Sequence, residues 1–258
     1  MMLRSIFAAS AALLMGSVAA NAAQVAALIG GDTIATVDTA QKKATGSVKV
    51  SGISGKLVGI DVRPADGLLY GLVDDGTVVT IAKDGKATMK SKLETMLNKG
   101  VTATVDFNPV ADRLRVMGSD GMSLRANVDD GKVTKDGDHK YAETDMHKGE
   151  KPNIVAGAYT NSVKGTKETG LFNIDATIGA LVKQAPPNDG ILGAVGKLGI
   201  KPTTAAFDIW SDGAGKNDAW LMADGTLYSV DLATGKATEA AKIAGVTGTV
   251  TDIAILGM

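Results

Sequence analysis

The chain contains no cysteine. Disulfides, thiolate nucleophiles and cysteine-ligated zinc are therefore excluded. Aromatic residues supply only 4% of it, too few for the stacking platforms on which single-stranded nucleic acids lie. Net charge is −1, so no basic footprint marks it for nucleic acid or an anionic membrane. Leucine, glutamate and lysine at helical spacing are scarce. No P-loop, dinucleotide fingerprint or G-x-S-x-G elbow occurs. The Asp-Gly pairs, such as Asp75-Gly76 and Asp224-Gly225, lack the ligand spacing of a calcium loop and read as hairpin turns. No metal site and no cofactor is assigned.

Glycine is plentiful, at 32 of 258 residues, and much of it follows Asp or Thr. That placement signals many tight turns between short strands. The first residues differ from the rest. Arg4 precedes a short apolar run, Ile6 to Val18, and Ala20-Asn21-Ala22 is a small-x-small cleavage site. Residues 1–22 therefore read as a signal peptide, with the mature chain starting at Ala23. The run is too brief to span a bilayer comfortably. The expected location is periplasmic or secreted, where a chain without cysteine escapes oxidation.

Residues 23–258 read as one repetitive domain. An apolar-x-apolar-Asp-apolar strand occurs at Val58–Val62, Ala103–Phe107 and Ala205–Ile209, and in shortened form at Val250–Ile253. A fifth copy, Val155–Tyr159, carries Ala158 in place of the aspartate. Copies recur at about 45 to 50 residues, the length of one four-stranded propeller blade. Most are followed by strand, Asp-Gly, strand, turn and a short strand. After the last copy the chain stops, and its missing three strands are found in Val25–Val50. The expected fold is all-β: a five-bladed β-propeller whose carboxy-terminal strand pairs with the amino-terminal blade and so leaves no open edge. Two segments fall outside the pattern. Ser91–Asn98, with Leu93, Met96 and Leu97, predicts a helical turn. Asp136–Lys151, which holds His139 and His147, predicts a solvated loop.

Four segments in order, GIDVRPADGLLYGLVDDGTV, VDFNPVADRLRV, AYTNS and QAPPNDG, resemble a bacterial exported family known as domain of unknown function 4394. The resemblance covers essentially the whole mature chain. It implies a secreted β-propeller-like domain and carries no activity with it. One departure is mild: Ala126 stands in a strand that is often bulkier in that family.

The repeated aspartates Asp61, Asp106, Asp208 and Asp252 predict carboxylates near the ring axis. By strand alternation they share a face with Arg63, Asn108 and Trp210. Two readings follow. The carboxylates accept backbone N–H bonds between blades, or they hold a ligand, a cation or a glycan. Arg63, Arg113 and Arg115 are candidates for pairing with them or for clamping an anion. Tyr159 and Asn161 stand where the repeat breaks. The candidate ligand-binding set is therefore Asp61, Arg63, Asp106, Asn108, Arg113, Tyr159, Asn161 and Asp208, with no residue assigned to catalysis. The expected role is that of a monomeric binding or scaffold module using the axial funnel. Its partner would be a small molecule, a glycan or a protein, with no nucleic acid and no membrane span. The alternative is a glycan-directed hydrolase with carboxylates from several inner strands.

Overall fold

Alternating apolar residues broken by Asp-Gly turns build strands of 2 to 8 residues throughout the computed structural model, which describes residues 23–257. The expected signal peptide lies outside the described residues. The chain opens with β1 (Gln24–Ile29), β2 (Thr33–Asp38) and β3 (Lys43–Lys49). A first complete blade follows: β4 (Leu57–Val62), β5 (Leu69–Val73), β6 (Thr77–Ile81) and β7 (Ala87–Lys92). The second holds β8 (Ala103–Asn108), β9 (Arg113–Gly118), β10 (Ser123–Ala126) and β11 (Val133–Lys135). A short strand, β12 (Lys140–Tyr141), leads to the third blade: β13 (Ile154–Tyr159), β14 (Leu171–Asp175), β15 (Ala180–Gln184) and β16 (Ile191–Lys197). The fourth holds β17 (Ala205–Ser211), β18 (Asn217–Ala223), β19 (Thr226–Val230) and β20 (Ala237–Lys242). Finally β21 (Val250–Gly257) pairs antiparallel with β1, Ala254 opposite Ala26, and completes a split blade ordered β21-β1-β2-β3.

Five blades thus surround an axis lined by β4, β8, β13, β17 and β21, each packed on the next. Hairpin chemistry is local. Asp224 and Gly225 have φ of 48° and 78°, the two positive values that a two-residue type I′ turn needs. The core lies between blades. Tyr70 meets Phe107 edge to face across the first and second blades at 5.2 Å. Met117, Tyr159 and Leu171 join the second to the third, and Trp210 and Trp220 pack against the cluster between the fourth and split blades. Each such large apolar side chain contributes about 1.5–3 kcal/mol when fully buried. No helix among the described residues is long and apolar enough to cross a membrane.

Two local expectations are corrected. Ser91–Asn98 forms no helical turn: β7 continues through Lys92, and the rest is irregular. Leu93 is buried, and Met96 and Leu97 pack beside it in the core shared by the first and second blades. Three apolar residues at helical spacing satisfy that contact as well as a helix face. The Asp136–Lys151 segment is not wholly solvated. β12 pairs in parallel with β16, Tyr141 is buried, and its hydroxyl donates to Asp175 Oδ2. His139 is also buried, with no hydrogen-bond partner on either ring nitrogen.

Burial, then the nearby Arg115 cation, hold the His139 imidazole down at about pKa 4; Asp138, Asp120 and Asp175 oppose this more weakly. Between pH 6.5 and 4 the unfolded chain accepts a proton there that the folded chain refuses. Stability is therefore full above pH 6.5 and is lost as pH falls, by up to roughly 3 kcal/mol. His139→Phe should flatten this acid limb in urea unfolding series taken between pH 4 and 7. A variant with the parent's slope would show that His139 is charged in the folded protein. Ring closure makes a second prediction. Deleting residues 249–258 should strand the edge of β1 and produce aggregates in light scattering. A monomer with the parent's melting temperature would contradict closure.

Candidate functional site

The Val105–Met117 stretch shows how the inner strands are anchored. Asn108 Oδ1 accepts from the Val110 and Ala111 N–H groups, both at 2.9 Å, and closes the bend after β8. Asp112 takes a positive φ of 50°, and the chain returns as β9. Arg113 donates back to the Ala111 and Asp112 carbonyls. Asn108 and Arg113 therefore build the turn.

The aspartates on these strands reach across blade boundaries. Asp61 Oδ2 accepts from Phe107 N–H at 2.7 Å, and Asp106 Oδ1 from Tyr159 N–H at 3.0 Å. Asp208 Oδ2 accepts from Ile255 N–H at 2.6 Å, and Asp252 Oδ2 from Ile60 N–H at 2.9 Å. All four carboxylates are buried. The second oxygens of Asp61, Asp208 and Asp252 take the next N–H of their own strand. Four of the five blade junctions are bridged in this way.

The pattern corrects one assignment. Asp61 bonds the residue after Asp106, and Asp106 the residue after Ala158. Asp208 bonds Ile255, the residue after Ala254. Ala254, not Asp252, thus occupies the repeat position in the split blade. Asp252 sits two residues earlier and bonds Ile60, two residues before Val62. A two-residue shift leaves an alternating pattern unchanged, so the sequence repeat cannot detect it. Gly59 makes the shift possible, since a Cβ there would lie 2.9 Å from Asp252 Oδ2 and 2.5 Å from Val105.

At the fifth junction, where Ala158 replaces the aspartate, other groups bridge. Asn161 N–H donates to Asn217 Oδ1 at 2.7 Å, and Ser162 N–H to Ser211 Oγ at 2.9 Å. Asn161 is thus placed in a junction. Tyr159 is fully buried, its hydroxyl accepting from Arg115 Nε. Arg63 is saturated: it meets Asp112 and Asp129 through paired oxygens and donates to Tyr70 and Asp66. Those partners push its pKa still higher, and none of its donors is left for an anionic ligand.

One oxygen from each of Asp61, Asp106 and Asp208 lies within 4.8 Å of the others, so this triad could converge on a cation. Protons also relieve the crowding. Burial, with the neighbouring carboxylates second, lifts Asp61 and Asp106 well above the ordinary carboxylate range. Burial, with the Asp208 charge a lesser cause, lifts Asp252 well above that range against its two N–H bonds, and burial alone raises Asp208 to about 6. At the carboxy-terminal ends of the inner strands the axis opens into a cavity of about 210 Å³. Asp61, Asp208, Trp210, Ser162, Ser211 and Ile255 face it. Asp61 and Asp208 are thus the two sequence candidates that line this mouth. In the sequence Trp210 is only a face-mate of the aspartates, Ser162 stands out only as the end of the AYTNS segment, and Ser211 has no signal because it lies outside the repeat.

Asp208→Ala leaves two buried N–H donors unpaired and Asp106→Ala one, at about 1–3 kcal/mol per donor. Both should lower the denaturant midpoint at pH 7, Asp208→Ala the more. Raised midpoints in either would mean that repulsion among the carboxylates outweighs the lost bonds. The raised pKa values also fix a sign. The stability that these carboxyls contribute is complete below their unfolded value of about 3.9. It is lost as pH rises through about 6 for Asp208. In a His139→Phe background, and above pH 5, where the carboxylates with lowered pKa values such as Asp75 and Asp129 have given their full contribution, stability should decline from pH 5 to pH 7; a rising curve would place ionised carboxylates on the axis.

No curated protein matches the chain. Among solved structures it is similar to a protein of unknown function from Bacteroides thetaiotaomicron VPI-5482, with a TM-score of 0.54 and 14% identity. The match covers 90% of this chain and 64% of that one, so this chain spans less than two thirds of that protein's length. It is also similar to a protein of unknown function from Bacteroides caccae, with a TM-score of 0.43, 14% identity, and 84% and 72% of the two chains covered. A glutaminyl cyclase from Myxococcus xanthus gives a TM-score of 0.43 at 13% identity over 77% of this chain and 69% of its own. At such identities likeness speaks to the fold alone. The profile of one family, described as "Domain of unknown function (DUF4394)", matches residues 33–254, and the chain belongs to that family.

Proposed function

We propose that this chain is an exported, monomeric binding module that receives a small hydroxyl-rich ligand, such as the end of a glycan, at the axial mouth. The observation that carries this reading is the make-up of the mouth. An indole (Trp210), two carboxyls (Asp61, Asp208) and two serines (Ser162, Ser211) face one cavity of about 210 Å³. An aromatic face with convergent hydrogen-bonding groups is what a sugar ring, apolar on its faces and polar at its edge, requires. The size suits one ring rather than a long chain.

Recognition is favoured over hydrolysis by the state of the carboxylates. A glycosidase needs an acid and a base or nucleophile aimed at the ligand. Asp61 and Asp208 each accept a backbone N–H on both oxygens, which fixes the carboxyls in the ring and leaves the remaining lone pairs to meet a ligand hydroxyl. Export rests on Arg4, the apolar run and the Ala20-Asn21-Ala22 site in the sequence.

One experiment tests the whole reading. Protein recovered from the periplasm or medium should have a mass that begins at Ala23. Titrated with a panel of monosaccharides and short glycans, it should show saturable quenching of its two tryptophans. Trp210→Ala should abolish that binding as read by calorimetry and still unfold cooperatively, at a melting temperature lowered by the packing its indole makes with the core between the fourth and split blades. Retained binding in this variant, or no response to any glycan, would defeat the proposal.

A further inference from the structure

A second concavity opens beside the mouth, between the split blade and the first blade. It encloses about 750 Å³, within the range of small-molecule sites. Its origin is a packing deficit. The core clusters at the other blade junctions contain aromatic residues: Trp210 and Trp220, Tyr70 and Phe107, Tyr159, or Phe172 and Phe207. The cluster between the split and first blades is built of Ala, Leu, Ile and Val alone. Ala26, Thr36 and Ala82 face the space that a larger side chain would fill. Packing of close-set interiors leaves few such voids, and an apolar one this open is a binding volume.

Three further observations define an occupant. Ile34, Val48, Val62, Leu69 and Ile81 make the walls apolar. Leu68 and Leu256, two of the five exposed large hydrophobic residues among the described residues, stand at its rim, 50% and 45% exposed. Lys83 is the single charged side chain of the lining, and among the described residues it makes no hydrogen bond or ion pair. Gln24 and Thr36 supply the neutral polar groups, and no carboxylate faces the space. An apolar body with a single negative end matches this lining in shape and in charge.

We propose that the cleft between the split and first blades binds an amphipathic monocarboxylate, its chain against Val48, Val62 and Leu69 and its carboxylate at Lys83. The site adjoins the axial mouth, with Val62, Leu256 and Gly257 lining both, and the proposal does not depend on a ligand at the mouth. Sodium decanoate, below its micellar concentration, is the probe, with decan-1-ol and decyltrimethylammonium as neutral and cationic counterparts. Calorimetry on the mature protein should show saturable, one-to-one binding of decanoate, tighter than that of decan-1-ol, with the cation the weakest of the three. Lys83→Gln should weaken decanoate by about fivefold, the scale of a partly exposed ion pair, and leave decan-1-ol unchanged. Val48→Trp, whose indole would enter the cleft, should abolish both; Leu256→Trp at the rim replaces it if that variant melts early. Absence of saturable decanoate binding would overturn the proposal. So would equal binding of the cation, or binding indifferent to a folded cleft-filling variant.

Discussion

A propeller blade leaves the free edge of its innermost strand without a ladder partner, since neighbouring blades meet face to face. Buried N–H groups at that edge must still be satisfied. Here side chains do it. A carboxylate on one inner strand accepts an N–H from the next, at 2.6 to 3.0 Å, around four of five junctions. The arrangement ties blade to blade at the axis. It also explains why aspartate recurs, because its short side chain spans one inter-strand gap and offers two acceptors.

The same solution concentrates like charge. Three of the carboxylates crowd within 4.8 Å in a site removed from water. Such a set is not stable fully ionised, so it holds protons at pH values where surface aspartates have lost theirs. A ring built for backbone bonding thus acquires hydroxyl donors as well as acceptors at its open end. That chemistry, beside Trp210, distinguishes the mouth from the other ring surfaces. Arginine serves elsewhere: Arg63 and Arg115 lie buried at the first-to-second and second-to-third junctions, held by Asp112 and Asp129 in one case and by Asp136, Tyr159 and Asn188 in the other.

The junctions are not equivalent, and their differences locate the two concavities. Where Ala158 interrupts the aspartate ring, Asn161, Ser162, Ser211 and Asn217 take over, and two of these serve the mouth. Where the chain closes on itself, no aromatic residue fills the seam, and the larger cleft remains. Repetition builds the scaffold, and departures from it make the openings.

The local features of this fold are legible in the sequence because they arise from neighbours. Asp-Gly turns, the Asn108 bend, strand alternation and the recurrence of blades depend on residues a few positions apart, and the split blade follows from counting strands. Partners far apart in the chain are different. That Asp252 serves Ile60 and not Val62 rests on a shift that preserves every alternation. That Leu93 seals a blade junction, and that His139 is buried, depend on surfaces the chain brings together only when the ring closes. Of the eight candidate site residues, tertiary contacts put Asp61 and Asp208 at the mouth. They assign Arg63, Asn108, Arg113, Tyr159 and Asn161 to turns and junctions, and Asp106 to the axis beneath. Residue type and spacing determined which groups could bond across a gap; only the closed ring decided which gap each one spans, because burial and distance are properties of the assembled blades.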